Sequence, residues 1–550
     1  MTFRLRSSFA LRLSLVTLGA GLLVMSAKSI IDFPGLLVGA ILLSILPTLS
    51  AAFDSRCLDY DKGKMLLLII IPLVVLHFLY FITMGVPVGF QDTHSNINYY
   101  ENHLSETNHL SFSDNDALSY RFAGLFMTFK FIGESSSIQI VDMASIVPPI
   151  TSLVVVILVY IFVARIHSLN VAVIAAILFG WESRVLILGQ EMRTQTLGTL
   201  LILVLILLFV CTRLRPEGRP QRTSVIIPVV LFGIVISSFV SFLYACAIIT
   251  AILIAPLVLS RAAQWHRGRL ATSWRAFLLL LALFFCYVAY IGGGMSNILD
   301  ALSILVDEIS EAASSPTAEI GQASYGLFSR FITYAMWTIF IASSIWYVSV
   351  QREERNTDRI VFLSSFGLLL VITVVDSIVG ILSVGRIYAV AFVVISTIIA
   401  FGALNDWSTR RLLPNRRMLR LTFLFLLVLI VLASVVRVPA YVVGDTIPLR
   451  GAEPIDTVPY WSSDAPQFAI DGFLFDHLQN HHLEYNSLIR NYLTLNLSFG
   501  DRNDPSASVI EDRFRGEYFT FRTLLPSLEL YAEWNLVCSN GDYLVFLESS

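Results

Sequence analysis

Three islands of ionisable side chains interrupt an otherwise apolar chain. The first is Val88-Gly89-Phe90-Gln91-Asp92-Thr93-His94, just past an apolar run. A partly desolvated carboxylate at Asp92 can take a proton from a hydroxyl or hold a metal ion. A solvated loop aspartate is the competing account. His94 is followed by His103 and His109, at spacings that match no defined metal site. The second island is Trp181-Glu182-Ser183-Arg184 together with Gly189-Gln190-Glu191-Met192-Arg193-Thr194-Gln195. Glu191 adds a carboxylate, and Arg193 carries a fork that matches phosphate oxygens and stays charged. Interfacial snorkelling and helix capping use the same residue types. The third island sets Asp376, in Asp376-Ser377-Ile378-Val379-Gly380, near Arg386, in Val384-Gly385-Arg386-Ile387-Tyr388. Ionisable residues at membrane depth are functional candidates by default, and a structural Asp376–Arg386 pair is the alternative.

The elements that position these islands are set by composition. Of 550 residues, 56% are hydrophobic and 14% charged, against about a quarter charged in a soluble domain. Apolar runs of roughly 20 residues recur, each long enough for a hydrocarbon core about 30 Å thick. Within lipid such runs must be helical, because each backbone N–H and C=O needs a partner inside its own segment. The expected spans are 10–27, 34–53, 65–84, 146–164, 169–181, 195–212, 224–240, 242–260, 276–292, 328–349, 360–380, 387–404 and 419–437. The run 169–181 suffices only if tilted or continued toward Leu188. Arginine clusters at 213–222, 261–275, 352–359 and 410–420 all fall on the N-terminal side of this alternation. The facing segments 85–145 and 293–325 are acidic. The positive-inside rule then makes the N-terminus cytoplasmic, so the three islands share the outer face.

Fold class follows as an all-α polytopic membrane protein of about thirteen transmembrane helices, with a small extracytoplasmic α/β or α+β C-terminal domain. Residues 1–437 form the multi-span domain with a large outer first loop, 85–145, and residues 438–550 the C-terminal domain. In that tail Glu517 to Arg522 alternates as a strand does. Asn535 to Phe546 reads as a hairpin, with Asn540-Gly541 supplying the turn. The basic, apolar N-terminus reads as a retained signal anchor, since Met25-Ser26-Ala27 is a poor cleavage site. Cys538 is the one cysteine of five in the tail, which leaves no intramolecular disulfide there. A formal net charge of −3 favours no nucleic-acid partner.

The pattern resembles the GT-C superfamily of membrane glycosyltransferases, which includes protein O-mannosyltransferases and the oligosaccharyltransferase catalytic subunit. Gly89-Phe90-Gln91-Asp92-Thr93-His94 resembles the family's first-loop acidic motif, Gln190-Glu191-Met192-Arg193 its second-loop site, and Gly385-Arg386-Ile387-Tyr388 its late-span arginine. The resemblance implies a sugar donor on a polyprenyl phosphate in the outer leaflet of the plasma membrane. The acceptor would be a glycan, lipid or protein. Asp92 would be the general base assisted by Glu191, with Arg193 and Arg386 stabilising the leaving phosphate and His94 and Asp376 completing the substrate site. Two spans precede the one that leads into the loop. Asp-Thr-His also stands where the family has an Asp-x-Asp or Asp-Glu pair, leaving a divalent metal (magnesium or manganese) and a metal-free base both open.

Other classes use similar parts. A polysaccharide polymerase or ligase also takes lipid-linked sugars, but its principal loop usually lies late in the chain. A transporter or flippase places ionisable residues near the bilayer midplane and often shows repeated halves, which this chain lacks. An outer-surface assembly or receptor protein working through the tail is the remaining alternative.

Overall fold

In a computed structural model, the described residues are 122–182, 192–214, 220–258, 267–290 and 385–404, four strands between 483 and 547, and positions 16, 70, 73, 74, 77, 78, 96, 97, 100, 185, 186, 189 and 347. They are mainly helical. In chain order the helices are α1 (Gly124–Ser136), α2 (Ile140–Ile166), α3 (Leu169–Trp181) and α4 (Thr194–Leu214). There follow α5 (Pro220–Ser237), α6 (Phe239–Val258), α7 (Arg267–Tyr290) and α8 (Gly385–Leu404). The expected spans 34–53, 360–380 and 419–437 lie outside the described residues, as does the tail strand at 517–522, and of the expected span 10–27 and signal anchor only position 16 is described.

The helices form because long apolar runs leave the backbone no partner but itself. Among the described residues, the segment Asp142–Ile166 is by length and composition able to cross a membrane. Their outward faces are also apolar. Phe131 is 74% exposed, Val229 65% and Leu278 60%. A helix apolar all round is suited to protein on one side and hydrocarbon on the other. Pro148 and Pro149 sit inside α2, and Thr151 Oγ1 donates to the Val147 carbonyl at 2.8 Å in the same turn.

Two boundaries differ from the sequence expectation for one reason. α5 begins at Pro220 and α7 at Arg267, several residues before the apolar runs at 224 and 276. Hydropathy marks what lies in hydrocarbon, while the helix itself continues through polar residues at the interface. Proline suits the first position of α5, where its missing N–H would have had no helical partner. A larger difference is α1, which lies inside the expected loop 85–145. Thirteen residues are too few for a span, and the helix buries Leu125, Phe126 and Phe129 while exposing Met127 and Phe131.

α3 is the centre of the bundle. Every residue from Val171 to Trp181 is buried, between α2 on one side and α8 on the other. A Cβ added at Gly180 would stand 2.8 Å from Leu73 Cδ1, so glycine is what allows the segment around Leu73 to approach α3. α4 packs on α2 and α5, and α7 on α5 and α6. The Phe242 and Phe284 rings stack with centroids 3.8 Å apart between α6 and α7.

These neighbours give the bundle two distinct ends. At one end are the α2–α3 turn and the C-terminus of α8, where Tyr347 Oη and His167 Nε2 are 2.6 Å apart beside Phe401. Arg165 lies in the last turn of α2 at this end, and Arg213, Arg222 and Arg267 occupy the matching ends of α4, α5 and α7. At the other end α3 finishes, α4 and α6 begin, and α1 packs. Separately, β1 (Leu483–Tyr485), β2 (Ala507–Glu511), β3 (Asn535–Ser539) and β4 (Tyr543–Leu547) form one sheet in the order β1-β2-β4-β3. β1 and β2 are parallel, and β3 and β4 pair antiparallel with an irregularity between Leu536 and Cys538, where the sequence indicates a hairpin.

Candidate functional site

The second island is built by a helix that stops and restarts. At Glu182 the backbone turns extended (φ −63°, ψ 126°) and ends α3. Its carboxylate Oε2 accepts the Val185 N–H at 2.9 Å and its carbonyl the Leu186 N–H at 2.9 Å. Glu182 thereby acts as the N-cap of a new turn, using charge where exposed helix N–H groups favour it. It is only 4% exposed. Seven residues on, Gly189 lies against Ser152 of α2 and His77, and its added Cβ would be 2.7 Å from Ser152 Cβ. Met192 is fully buried, and half-buried Arg193 opens α4 by accepting the Thr196 N–H on its carbonyl at 3.0 Å.

The first loop meets this island. Asn96 Nδ2, four residues past Asp92, donates to the Met192 carbonyl at 2.6 Å in a buried hydrogen bond. Ile97 and Met192 share a small core with Phe126 and Phe129 of α1 and Met143 of α2. Phe122 stacks on Tyr287 with centroids 5.8 Å apart, and the Ala123 N–H donates to Tyr287 Oη at 3.3 Å, tying the start of α1 to the end of α7. Tyr100 packs on the same core, and burial, then the Glu134 charge, raises its phenol above the usual range. It stays protonated, a donor rather than an anion. The Lys130–Glu134 pair at 3.9 Å is a surface contact along α1 and adds little.

Register brings the start of α8 to the same end. Phe179 of α3 packs on Phe392 of α8 with centroids 6.4 Å apart, and His167 packs on Phe401 at 5.1 Å. α8 therefore runs antiparallel to α3. Arg386 precedes Phe392 by six residues, about 9 Å of helix, which places it in the first turn of α8, level with the residues that follow Trp181. Arg193 and the backbone of Arg386 thus belong to one end of the bundle, and Asn96 draws the first loop there. Asp92, His94, Glu191 and Asp376 lie outside the described residues.

Sequence reasoning passed over three groups that the structure places here. Glu182 was legible as part of the island, but nothing in the pattern announced its capping role. His77 is a lone polar residue in Val74-Val75-Leu76-His77-Phe78, and Asn96 an ordinary loop residue by type. Replacing Asn96 by leucine would strand the buried Met192 carbonyl, at a cost of about 1–3 kcal/mol. Asn96→Leu is expected to lower the thermal unfolding midpoint and speed proteolytic nicking within 85–145. An unchanged midpoint would mean that the Asn96–Met192 contact does not fasten the loop.

For a divalent metal, the sequence offers the Asp92 carboxylate, which lies outside the described residues. Among the described residues no group of three or more His, Cys, Asp or Glu side chains could hold an ion.

No family model matches the chain, and no curated protein matches it. Solved structures do. The oligosaccharyltransferase of Archaeoglobus fulgidus in its apo form is 13% identical, with a TM-score of 0.54, over 82% of this chain and 62% of that one. The Archaeoglobus fulgidus oligosaccharyltransferase AglB in complex with an inhibitory peptide and a dolichol-phosphate is 12% identical, with a TM-score of 0.49, over 81% and 61%. The chain thus spans about three-fifths of the length of these neighbours. At such identity the likeness to the apo enzyme is one of fold.

Proposed function

We propose that the chain is a multi-pass membrane glycosyltransferase of the GT-C type. It moves a sugar from a polyprenyl-phosphate-linked donor to a glycan, lipid or protein acceptor on the extracytoplasmic face. The observation that carries this reading is the Asn96–Met192 hydrogen bond. It fastens the first loop beside Met192 and Arg193, at the end of the bundle where α3 finishes and α8 begins, in a chain with an oligosaccharyltransferase-like fold. The basic residues at the opposite ends of α2, α4, α5 and α7 support a cytoplasmic placement of that end.

In the proposed reaction Asp92 takes the proton of an acceptor hydroxyl, and Glu191 assists by orienting it. The hydroxyl oxygen attacks the anomeric carbon while the bond from that carbon to the donor phosphate oxygen breaks. The phosphate leaves with the electron pair, and Arg193 and Arg386 neutralise it as charge develops, which is where positioned cations lower a barrier most. His94 and Asp376 hold the sugar and the arginine. The lipid tail stays among the helices, in the hydrocarbon that their outward faces already meet.

The test is transfer from labelled polyprenyl-phosphate sugars by membranes holding equal amounts of wild type or Asp92→Asn. Wild type is expected to transfer, and the variant to lose about tenfold or more, the usual share of a general base. Equal rates would remove Asp92 from the mechanism. Failure of wild type with every polyprenyl-linked donor would sink the transferase reading itself.

A further inference from the structure

We infer that α1 docks on outer-leaflet lipid, lying in the plane of the bilayer with Met127 and Phe131 set among the lipids; this rests on the membrane part of the reading above. Two close approaches give its direction. A Cβ added at Gly124 would stand 2.9 Å from the Ile236 carbonyl oxygen, in the last turn of α5, and one at Gly133 would stand 3.0 Å from Met143 Cε, in the first turn of α2. Between these two glycines α1 rises about 14 Å, so it crosses from α5 to α2 over the outer end of the bundle. Ile236 and Met143 each lie within about 6 Å of an expected span edge, at 240 and 146. That is the depth at which headgroups give way to acyl chains and interfacial helices lie.

The exposed face of α1 is turned toward the bilayer. Carbonyls in the last turn of a helix point out beyond its end, so the side of Gly124 that meets the Ile236 oxygen faces inward, down onto α5. Phe131 follows Gly124 by seven residues, two helical turns, and projects from that same side. Below it the walls are apolar. On the face of α5 that carries Ile236, Phe232 and Val229 are exposed one and two turns deeper. On the face of α2 that carries Met143, Ile150 and Val154 are exposed two and three turns deeper. α1 thus overhangs surfaces suited to acyl chains, and Met127 and Phe131 extend them. Its polar groups make few demands on water. Thr128 Oγ1 donates to the Gly124 carbonyl at 2.7 Å, Ser136 Oγ to the Ile132 carbonyl at 2.6 Å, and Ser135 Oγ to the Phe131 carbonyl. A hydroxyl bonded back to its own helix is satisfied without solvent. Lys130 and Glu134 pair one turn apart, so their charges cancel, and the lysine stem can lift its head to the headgroups. On its other face α1 holds Met192, the residue before Arg193, in a shared core. Lipid contact at Phe131 therefore sets the depth of the first loop where it meets the second island.

The experiment uses the full-length protein in lipid nanodiscs, in a background lacking the native cysteines. Met127→Cys, Phe131→Cys and Phe285→Cys each carry an environment-sensitive fluorophore. All three positions are exposed, so the label displaces no core. The nanodisc lipids bear a nitroxide quencher either just below the headgroup or at the end of the acyl chain. Phe285, near the middle of the expected span 276–292, tests the membrane reading and is expected to be quenched most by the chain-end nitroxide. Met127 and Phe131 are expected to emit at shorter wavelength than the label in buffer, and to be quenched more by the shallow nitroxide than by the deep one. Unshifted, unquenched emission at both, with Phe285 quenched, would overturn the proposal and place the face in water. Shifted but unquenched emission at both would overturn it as well, in favour of a covering protein segment or a second copy of the chain. An unquenched Phe285 would sink the membrane reading, and the docking of α1 with it.

Discussion

Arg193→Gln should reduce sugar transfer by about two orders of magnitude, the range seen when one preorganised charge partner of a developing oxyanion is removed. Its place at the first residues of α4, with its carbonyl holding the Thr196 N–H, fixes the Cα whatever the side chain does. Glutamine keeps the length and much of the packing but loses the charge and the bidentate fork. The loss should fall mainly on kcat, because phosphate charge is greatest as the bond breaks, and the unfolding midpoint should move little. Lysine at this position should recover only part of the rate, since a point charge cannot match two phosphate oxygens at once. A variant with unchanged kcat and a raised KM would place Arg193 in ground-state donor binding instead. Unchanged kinetics would exclude it from the site and shift the phosphate role to Arg386.

Gly198→Val is the substitution expected to harm the fold most. A Cβ there would stand 2.6 Å from Ser241 Cβ and 3.0 Å from Ser237 Oγ, where α4 crosses the junction of α5 and α6. Small residues at such crossings let helices approach closely, and the packing they permit is a main source of helix association in lipid. Ser237 and Ser241 have 0% and 1% exposure, so they have nowhere to retreat. Overpacking costs about 1–3 kcal/mol, and the midpoint should fall by several degrees in detergent. Gly133→Ala is the control. Its Cβ would meet the terminal methyl of Met143 at 3.0 Å, a flexible chain end that can move aside. If Gly198→Val melts like wild type, the α4 crossing is looser than its geometry implies.

The helices were legible because apolar runs have one solution in lipid. Leu169 to Trp181 was read to the residue, and the close succession of α5 and α6 was resolved only by the break at Ser238. α1 was not legible: its apolar residues are too few for a span and lie on both faces, so length and periodicity both fail. The islands were visible as charge in an apolar background, and of them Arg193 and the start of α8 fall at one end of the bundle. Asp92, His94, Glu191 and Asp376 remain expectations from sequence. Asn96 and His77 were hidden for a different reason. Their significance lies in which distant backbone they face, 96 residues away for Asn96 and Met192, and no local pattern encodes that.

The shortness of α3 has a bearing on the bilayer. Its 13 residues rise about 20 Å, roughly 10 Å less than the hydrocarbon thickness. An exposed helix of that length would suffer hydrophobic mismatch, and the surrounding lipid would have to thin to meet its ends. With Val171 to Trp181 wholly enclosed, acyl chains never reach it. The membrane adapts instead to longer neighbours such as the 27-residue α2. The deficit is confined to the protein interior and is not met by a deformation of the lipid.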